Sequence, residues 1–212
     1  MKITELQKKI FPDIREYAQT PLLNVFISEC NLSCIHCPVA ESLGTGKKVM
    51  LNTLLENIGR EFEKDTELPD VVVISGGEPL MFFETAILCS ALLSMGKKVY
   101  LKTNGTGDLR NIPAEVIKLV YFKLISSGEA GEFFFENLAV LSPDDVLVFK
   151  IFSTEDMDFA FRLLVNLDMN AVKFRFIFRL MDGIFSQDQI EESFRLHFDK
   201  NQLLRPEYDT LI

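Results

Sequence analysis

The chain has no tryptophan, no excess of basic residues and no uninterrupted apolar segment long enough to span a bilayer. Its 22 Lys and Arg against 31 Asp and Glu leave a net charge of −9, so the basic surface of a nucleic-acid binder is missing. The opening residues, MKITELQKKIFPDIREY, lack the apolar region of a secretory signal. Only four cysteines occur and three are bunched, which fits a reducing compartment better than a disulfide framework. A cytoplasmic enzyme with neither nucleic-acid nor membrane partners is the expectation. No repeat, low-complexity tract or Pro/Gly/Ser linker divides the sequence. One domain over 1–212 is therefore expected, with a core at 22–181, an N-terminal extension at 1–21 and a C-terminal helix and tail at 182–212. The 19 phenylalanines indicate a Phe-rich core.

Runs rich in Val, Ile and Phe predict strands at Leu22–Ile27, Val71–Ile74, Val99–Leu101, Val120–Ile125, Val146–Phe152 and Val172–Phe178. Helical spacing lies between them. Leu51, Leu54, Leu55, Ile58 and Phe62 share one helix face. A second helix over Thr85–Met95 stops at Gly96, and a third over Thr154–Met169 stops at Asn170. Ser186 and Gln189 form an S-x-x-Q cap ahead of Ile190, Phe194 and His197. This alternation predicts an α/β fold with six parallel strands. Six units are too few for the usual eight-stranded barrel, so an open (β/α)6 partial barrel is the first expectation and a doubly wound sheet the second. Either places the chemistry in loops at the C-terminal ends of the strands.

Cys30, Cys34 and Cys37 follow the first strand at C-x3-C-x2-C spacing. Three thiolates can hold three irons of a 4Fe-4S cube and leave the fourth open to another ligand. Zinc is the competing reading, but structural zinc usually takes four ligands in two C-x2-C pairs. Cys89 sits among Ile87, Leu88, Leu92 and Leu93, where a buried inert thiol is expected. One strand later comes Ser75-Gly76-Gly77-Glu78-Pro79, whose glycines allow a tight turn and close backbone approach. Glu78 is expected at that edge, placed to accept hydrogen bonds from an ammonium group.

Cys30-x3-Cys34-x2-Cys37 followed by Gly76-Gly77-Glu78-Pro79 resembles the radical S-adenosylmethionine (radical SAM) superfamily. The resemblance implies a 4Fe-4S cluster on the three cysteines, with SAM on the open iron. It implies contact of Glu78 with the methionine ammonium and of His36 with the adenine. The reaction implied is reductive cleavage of SAM to a 5′-deoxyadenosyl radical that abstracts a substrate hydrogen. The family fold is a six-stranded partial barrel. Thr103-Asn104-Gly105-Thr106, after the third strand, resembles the TNG segment of small members; Lys102 stands where those often carry an acid. Thr103 and Asn104 are thus further candidates for SAM binding.

In Val172-Lys173-Phe174-Arg175-Phe176-Ile177-Phe178-Arg179, strand alternation puts the aromatic residues on one face and the cations on the other. If the aromatic face packs on helices, Lys173, Arg175 and Arg179 point into the barrel. Lys102, Lys123 and Lys150 lie within or at the ends of other strands. Such cations, Lys150 and Arg175 in particular, would bind carboxylates of SAM or substrate; the alternative is that they snorkel to water.

From Leu22 to Met181 the layout is most similar to small members of the 7-carboxy-7-deazaguanine synthase-like group, and Leu203-Leu204-Arg205-Pro206 is similar to that group's ending. Pro38 and Val39 replace the usual Asp-Thr, whose threonine helps hold magnesium. Phe11–Pro21 contains no Gly-Glu-Gly substrate segment, and Glu29 replaces the common glycine before Cys30. A small-molecule substrate, in the manner of a pterin or deazapurine precursor, is expected. An activase acting on a glycine of a partner enzyme and a non-catalytic 4Fe-4S carrier or sensor are the alternatives. No auxiliary cluster is encoded, His197 is expected on the surface or in packing, and an oligomer is compatible with the sequence. With no flavin or nicotinamide fingerprint, an external low-potential donor of flavodoxin or ferredoxin type is implied.

Overall fold

Apolar strand segments assemble into one mixed sheet in the computed structural model, which describes residues 1–167, 172–180, 192 and 207–210. The strands are β1 (Lys2–Lys9), β2 (Leu22–Ile27), β3 (Lys47–Lys48), β4 (Val71–Gly76), β5 (Lys98–Thr103), β6 (Ile117–Phe122), β7 (Val146–Ile151), β8 (Arg175–Leu180) and β9 (Glu207–Thr210). Their order is β3-β1-β2-β4-β5-β6-β7-β8-β9. β2 and β4 to β9 run parallel, while β1 pairs antiparallel with β2 and β3 antiparallel with β1. The two edge strands do not pair with each other, so the barrel is partial and open, as expected.

Two features add detail to the expected partial barrel. The six predicted strands are β2 and β4 to β8, and the described sheet adds three: β1 from the N-terminal segment, the two-residue β3, and β9 from the tail. The (β/α)6 alternation is also incomplete among the described residues. Between β1 and β8 the described α-helices are α1 (Leu51–Lys64), α2 (Glu84–Ser94) and α3 (Thr154–Val165), after β3, β4 and β7. Loops with short 3-10 turns join β5 to β6 and β6 to β7. Phenylalanines help cover the sheet there. Phe133 packs on Phe122 with ring centroids 4.7 Å apart, Phe122 lies 5.7 Å from Phe149, and Phe135 meets Phe133 at 5.4 Å. Part of the phenylalanine content thereby has a structural role. Buried Asn137 fixes this loop by accepting from Leu109 N and donating to the carbonyls of Gly105 and Gly107.

Strand alternation generates two apolar cores. Leu23, Val25, Val72, Ile74, Leu147, Phe176 and Phe178 face outward with the helix residues Leu54, Ile58, Leu88, Leu92 and Phe161. Leu22, Val71, Val73, Tyr100, Leu119, Val146, Val148 and Ile177 face inward. Phe11 and Ile14, just after β1, pack into this inner core and floor it. Helix α1 buries Leu54 and Ile58 completely, matching its predicted face. Helix α2 ends as predicted at Gly96, whose φ of 74° accompanies hydrogen bonds from Gly96 N to Leu93 O and from Lys97 N to Leu92 O. Ser153 caps α3 by accepting from Asp156 N at 3.2 Å.

The predicted stop at Asn170, the cap at Ser186, the helix bearing His197 and the Leu203–Pro206 tail lie outside the described residues. No described helix is long and apolar enough to cross a membrane. Because Phe11 is 3% exposed and floors the inner core, Phe11→Ala should lower unfolding free energy by about 3–5 kcal/mol in chemical denaturation.

Candidate functional site

Parallel strands bring their C-terminal loops to one edge, where the cysteine loop meets the loops after β4, β5 and β6. Gly77 N donates to Ile27 O at 2.7 Å and Glu78 N to Glu29 O at 2.8 Å. Asn104 Nδ2 donates to Asn31 Oδ1, and Asn31 Nδ2 to Thr106 Oγ1. Ser33 N donates to Glu129 Oε1, and Ile35 N to Ser127 O. The approach of the β4 loop demands glycine. A Cβ on Gly77 would stand 2.0 Å from Glu29 O, and one on Gly76, where φ is 112°, 2.3 Å from Ile27 O.

Glu78 occupies a different place from the one expected. It is 1% exposed and does not line the cavity. One carboxylate oxygen accepts from Leu80 N at 2.9 Å and Thr103 Oγ1 at 2.6 Å; the other accepts from Asn104 N at 2.6 Å. Burial raises its pKa above the ordinary value, against the lowering effect of these hydrogen bonds. Its carboxylate pins the β4 loop to the β5 loop. Pro79 is also buried and opens a short turn beneath the edge.

A cavity of about 410 Å³ runs from the cysteine loop into the barrel. Cys30, Cys34, His36 and Cys37 line it, as do Gly76, Gly77, Thr103 and Asn104. The His36 ring stacks on Phe152 with centroids 4.2 Å apart and planes 15° apart. All three cysteines are free and partly exposed. Burial is the main cause that raises the thiol pKa of Cys30 and of Cys34, so metal binding there must displace protons. Among the described residues no three His, Cys, Asp or Glu side chains converge to hold one metal ion. A cube takes its thiolates at separate corners, and three free thiols lining one cavity suit that donor geometry.

Deeper in, inward-facing positions change from apolar to cationic: Tyr100 to Lys102, Tyr121 to Lys123, Val148 to Lys150 and Ile177 to Arg179. These four cations line the cavity. Arg175 does not. It is exposed at the opposite end of β8, four residues or about 13 Å along the strand from Arg179. Arg175 and Arg179 share the inward face, and of the two Arg179 is the one that lines the cavity. Lys173 lies before β8 and is exposed.

Sequence reasoning missed Asp13. It is 7% exposed, lines the cavity, and accepts hydrogen bonds from Lys102 Nζ and the Tyr121 hydroxyl. Burial acts to raise its pKa, but the attraction and hydrogen bond of Lys102, with Tyr121 and Arg179, bring it below the ordinary value. The available signal was a lone acid inside the apolar stretch Ile10-Phe11-Pro12-Asp13-Ile14, carried back to the barrel floor by β1.

Residues 24–122 match the radical SAM superfamily. The chain is 31% identical over 161 residues to the 7-carboxy-7-deazaguanine synthase of Koribacter versatilis (strain Ellin345), covering 76% of this chain and 69% of that protein. The same enzyme of Thermoplasma acidophilum is 32% identical over 162 residues, covering 76% and 74%. The chain belongs to the radical SAM superfamily. Within it, the chain falls among the 7-carboxy-7-deazaguanine synthase-like proteins. In fold it is similar to QueE from Escherichia coli, with a TM-score of 0.70 at 16% identity over 99% of this chain and 93% of that one. SuiB from Streptococcus suis, solved bound to S-adenosylmethionine, gives a TM-score of 0.60 at 12% identity over 90% of this chain and 52% of that one.

Radical SAM proteins use a 4Fe-4S cluster and SAM, and this chain is such an enzyme. Glu78→Gln replaces one acceptor oxygen with an NH2 facing donors, so it should cost about 1–3 kcal/mol of stability in denaturation of the metal-free protein.

Proposed function

We propose that this radical SAM enzyme removes a hydrogen atom from a small-molecule substrate of the pterin or deazapurine-precursor class. The observation that carries this reading is the single cavity joining the cysteine loop to a cation-lined lumen. Its volume of about 410 Å³ falls in the range of small-molecule sites. The deazaguanine synthases among its relatives support the substrate class. Pro38 and Val39, and the lack of a Gly-Glu-Gly segment, separate the chain from that group's substrate and metal contacts.

In this reading the whole chain is one radical SAM domain. Cys30, Cys34 and Cys37 hold the 4Fe-4S cluster, and Gly76, Gly77, Thr103 and Asn104 form the edge that receives SAM. His36, already stacked on Phe152, contributes an aromatic wall. Glu78 serves from behind the cavity by setting the positions of Thr103 and Asn104. Reduced and bound, the cluster and SAM supply a 5′-deoxyadenosyl radical; the protein binds, orients and excludes water. Electrons come from an external low-potential protein of flavodoxin or ferredoxin type, in the cytoplasm.

After anaerobic reconstitution with iron and sulfide, protein given dithionite and SAM should form 5′-deoxyadenosine, and Cys34→Ala should lose both the cluster absorbance and this product. A screen of pterin and deazapurine precursors by mass spectrometry then tests the substrate. Absence of 5′-deoxyadenosine from cluster-loaded wild-type protein would refute radical chemistry. A glycyl radical on a partner protein, with every small molecule left intact, would replace the small-molecule reading.

A further inference from the structure

The inward ends of four neighbouring strands place cations around one part of the cavity. Lys150 and Arg179 are direct cross-strand partners in the β7–β8 register. Lys123 directly follows β6, and Lys102 lies on β5. Among the described residues the one Asp or Glu lining this cavity is Asp13, already engaged by Lys102 and Tyr121. Arg179 is buried and engaged in contacts of its own. Lys123 and Lys150, by contrast, have no hydrogen-bond or ion-pair partner among the described residues. The Nζ of Lys150 stands 5.5 Å from the Tyr121 ring centroid, an orientation that leaves its donors available.

Snorkelling does not account for this arrangement. Lys150 is half-buried, and burial followed by the charges of Lys123, Lys102 and Arg179 pushes its pKa down to about 8. Like charges gathered in a poorly solvated space disfavour one another, and an entering anion relieves that repulsion. The surrounding strands direct their backbone N–H groups into the sheet ladder. Side-chain ammonium groups are therefore the donors offered, without the backbone cradle that commonly receives phosphate at helix N-termini. That favours a carboxylate.

We propose that Lys123 and Lys150 form a carboxylate subsite for the substrate, independent of any divalent metal ion, and are the specificity-determining residues of this chain. The proposal rests on the small-molecule reading above. A divalent ion would find one carboxylate there, tied to Lys102, amid several positive charges. The groups facing Lys150 are Lys123 and Tyr121 from the β6 side, Lys102 from β5, Arg179 from β8 and Asp13 from the segment after β1. Asp13 alone among them favours the charged amine. Affinity for the anion should therefore be present below pH about 8 and fall as Lys150 loses its proton above it.

The test compares two fluorescent probes, pterin-6-carboxylate and its uncharged counterpart 6-hydroxymethylpterin, on cluster-loaded protein with SAM and no added divalent ion. Near neutral pH the carboxylate should bind about tenfold more tightly or better. That preference should decline above pH about 8. In the Lys123→Gln/Lys150→Gln double variant it should vanish while SAM affinity is unchanged. Lys150→Arg should retain the preference and remove the decline near pH 8, a result that a purely structural role would not produce. Equal affinity for the two probes in the wild type would overturn the proposal. So would a preference that requires magnesium, one that survives the double variant, or a comparable loss of SAM affinity, which would assign the lysines to the SAM carboxylate. Absence of 5′-deoxyadenosine with the probe preference intact would instead refute the enzymatic reading alone.

Discussion

The buried carboxylate of Glu78 is the interaction on which the functional edge depends. It receives Leu80 N from its own loop and Thr103 Oγ1 and Asn104 N from the next, so one side chain fixes two loops. Asn104, so held, reaches Asn31 beside the first cysteine. The cysteine loop is anchored from below by the approach of Gly77 to Glu29, which only glycine permits. Burying a carboxylate is unfavourable unless each oxygen is hydrogen-bonded, and here each is. A pre-set edge needs little reorganisation on cofactor binding, which is the physical value of holding it so tightly.

A single alternating pattern organises the interior beneath that edge. Along β6 and β7 inward positions run from apolar near the floor to cationic near the rim, and on β5 and β8 an inward Tyr100 or Ile177 precedes the rim cation. Phe11 and Ile14 seal the floor, and Asp13, from the same short segment, enters the cation cluster. The N-terminal segment is thus part of both the core and the site. In a protein of net charge −9, this concentration of positive charge makes the cavity electrostatically distinct from the surface around it.

Much of this was legible in the residues themselves. Local chemistry carries information when a motif is short and contiguous. Cys30, Cys34 and Cys37 lie within one loop, and Val71–Ile74 leads straight into Gly76-Gly77. The inward face of β8 could be read because alternation holds along a strand whatever its neighbours. Which cation on that face reaches the cavity could not be read, since that depends on how far the strand extends. Arg175 and Arg179 share a face, and only their heights differ. What covers β5 and β6 was hidden for a related reason: phenylalanines from a long loop pack there, and their contacts carry no sequence periodicity.

The sequence by itself determined the superfamily, because a three-cysteine loop and a glycine–glutamate loop one strand later are residue types at fixed spacing. It also determined the parallel α/β character, through runs of strand-forming residues broken by helical ones. Only the tertiary structure decided where the glutamate points, that β1 joins the sheet, and that Asp13 meets Lys102 across 89 residues. Those are matters of burial and long-range pairing. They arise when distant segments compete for the same interior, and no local pattern records the outcome.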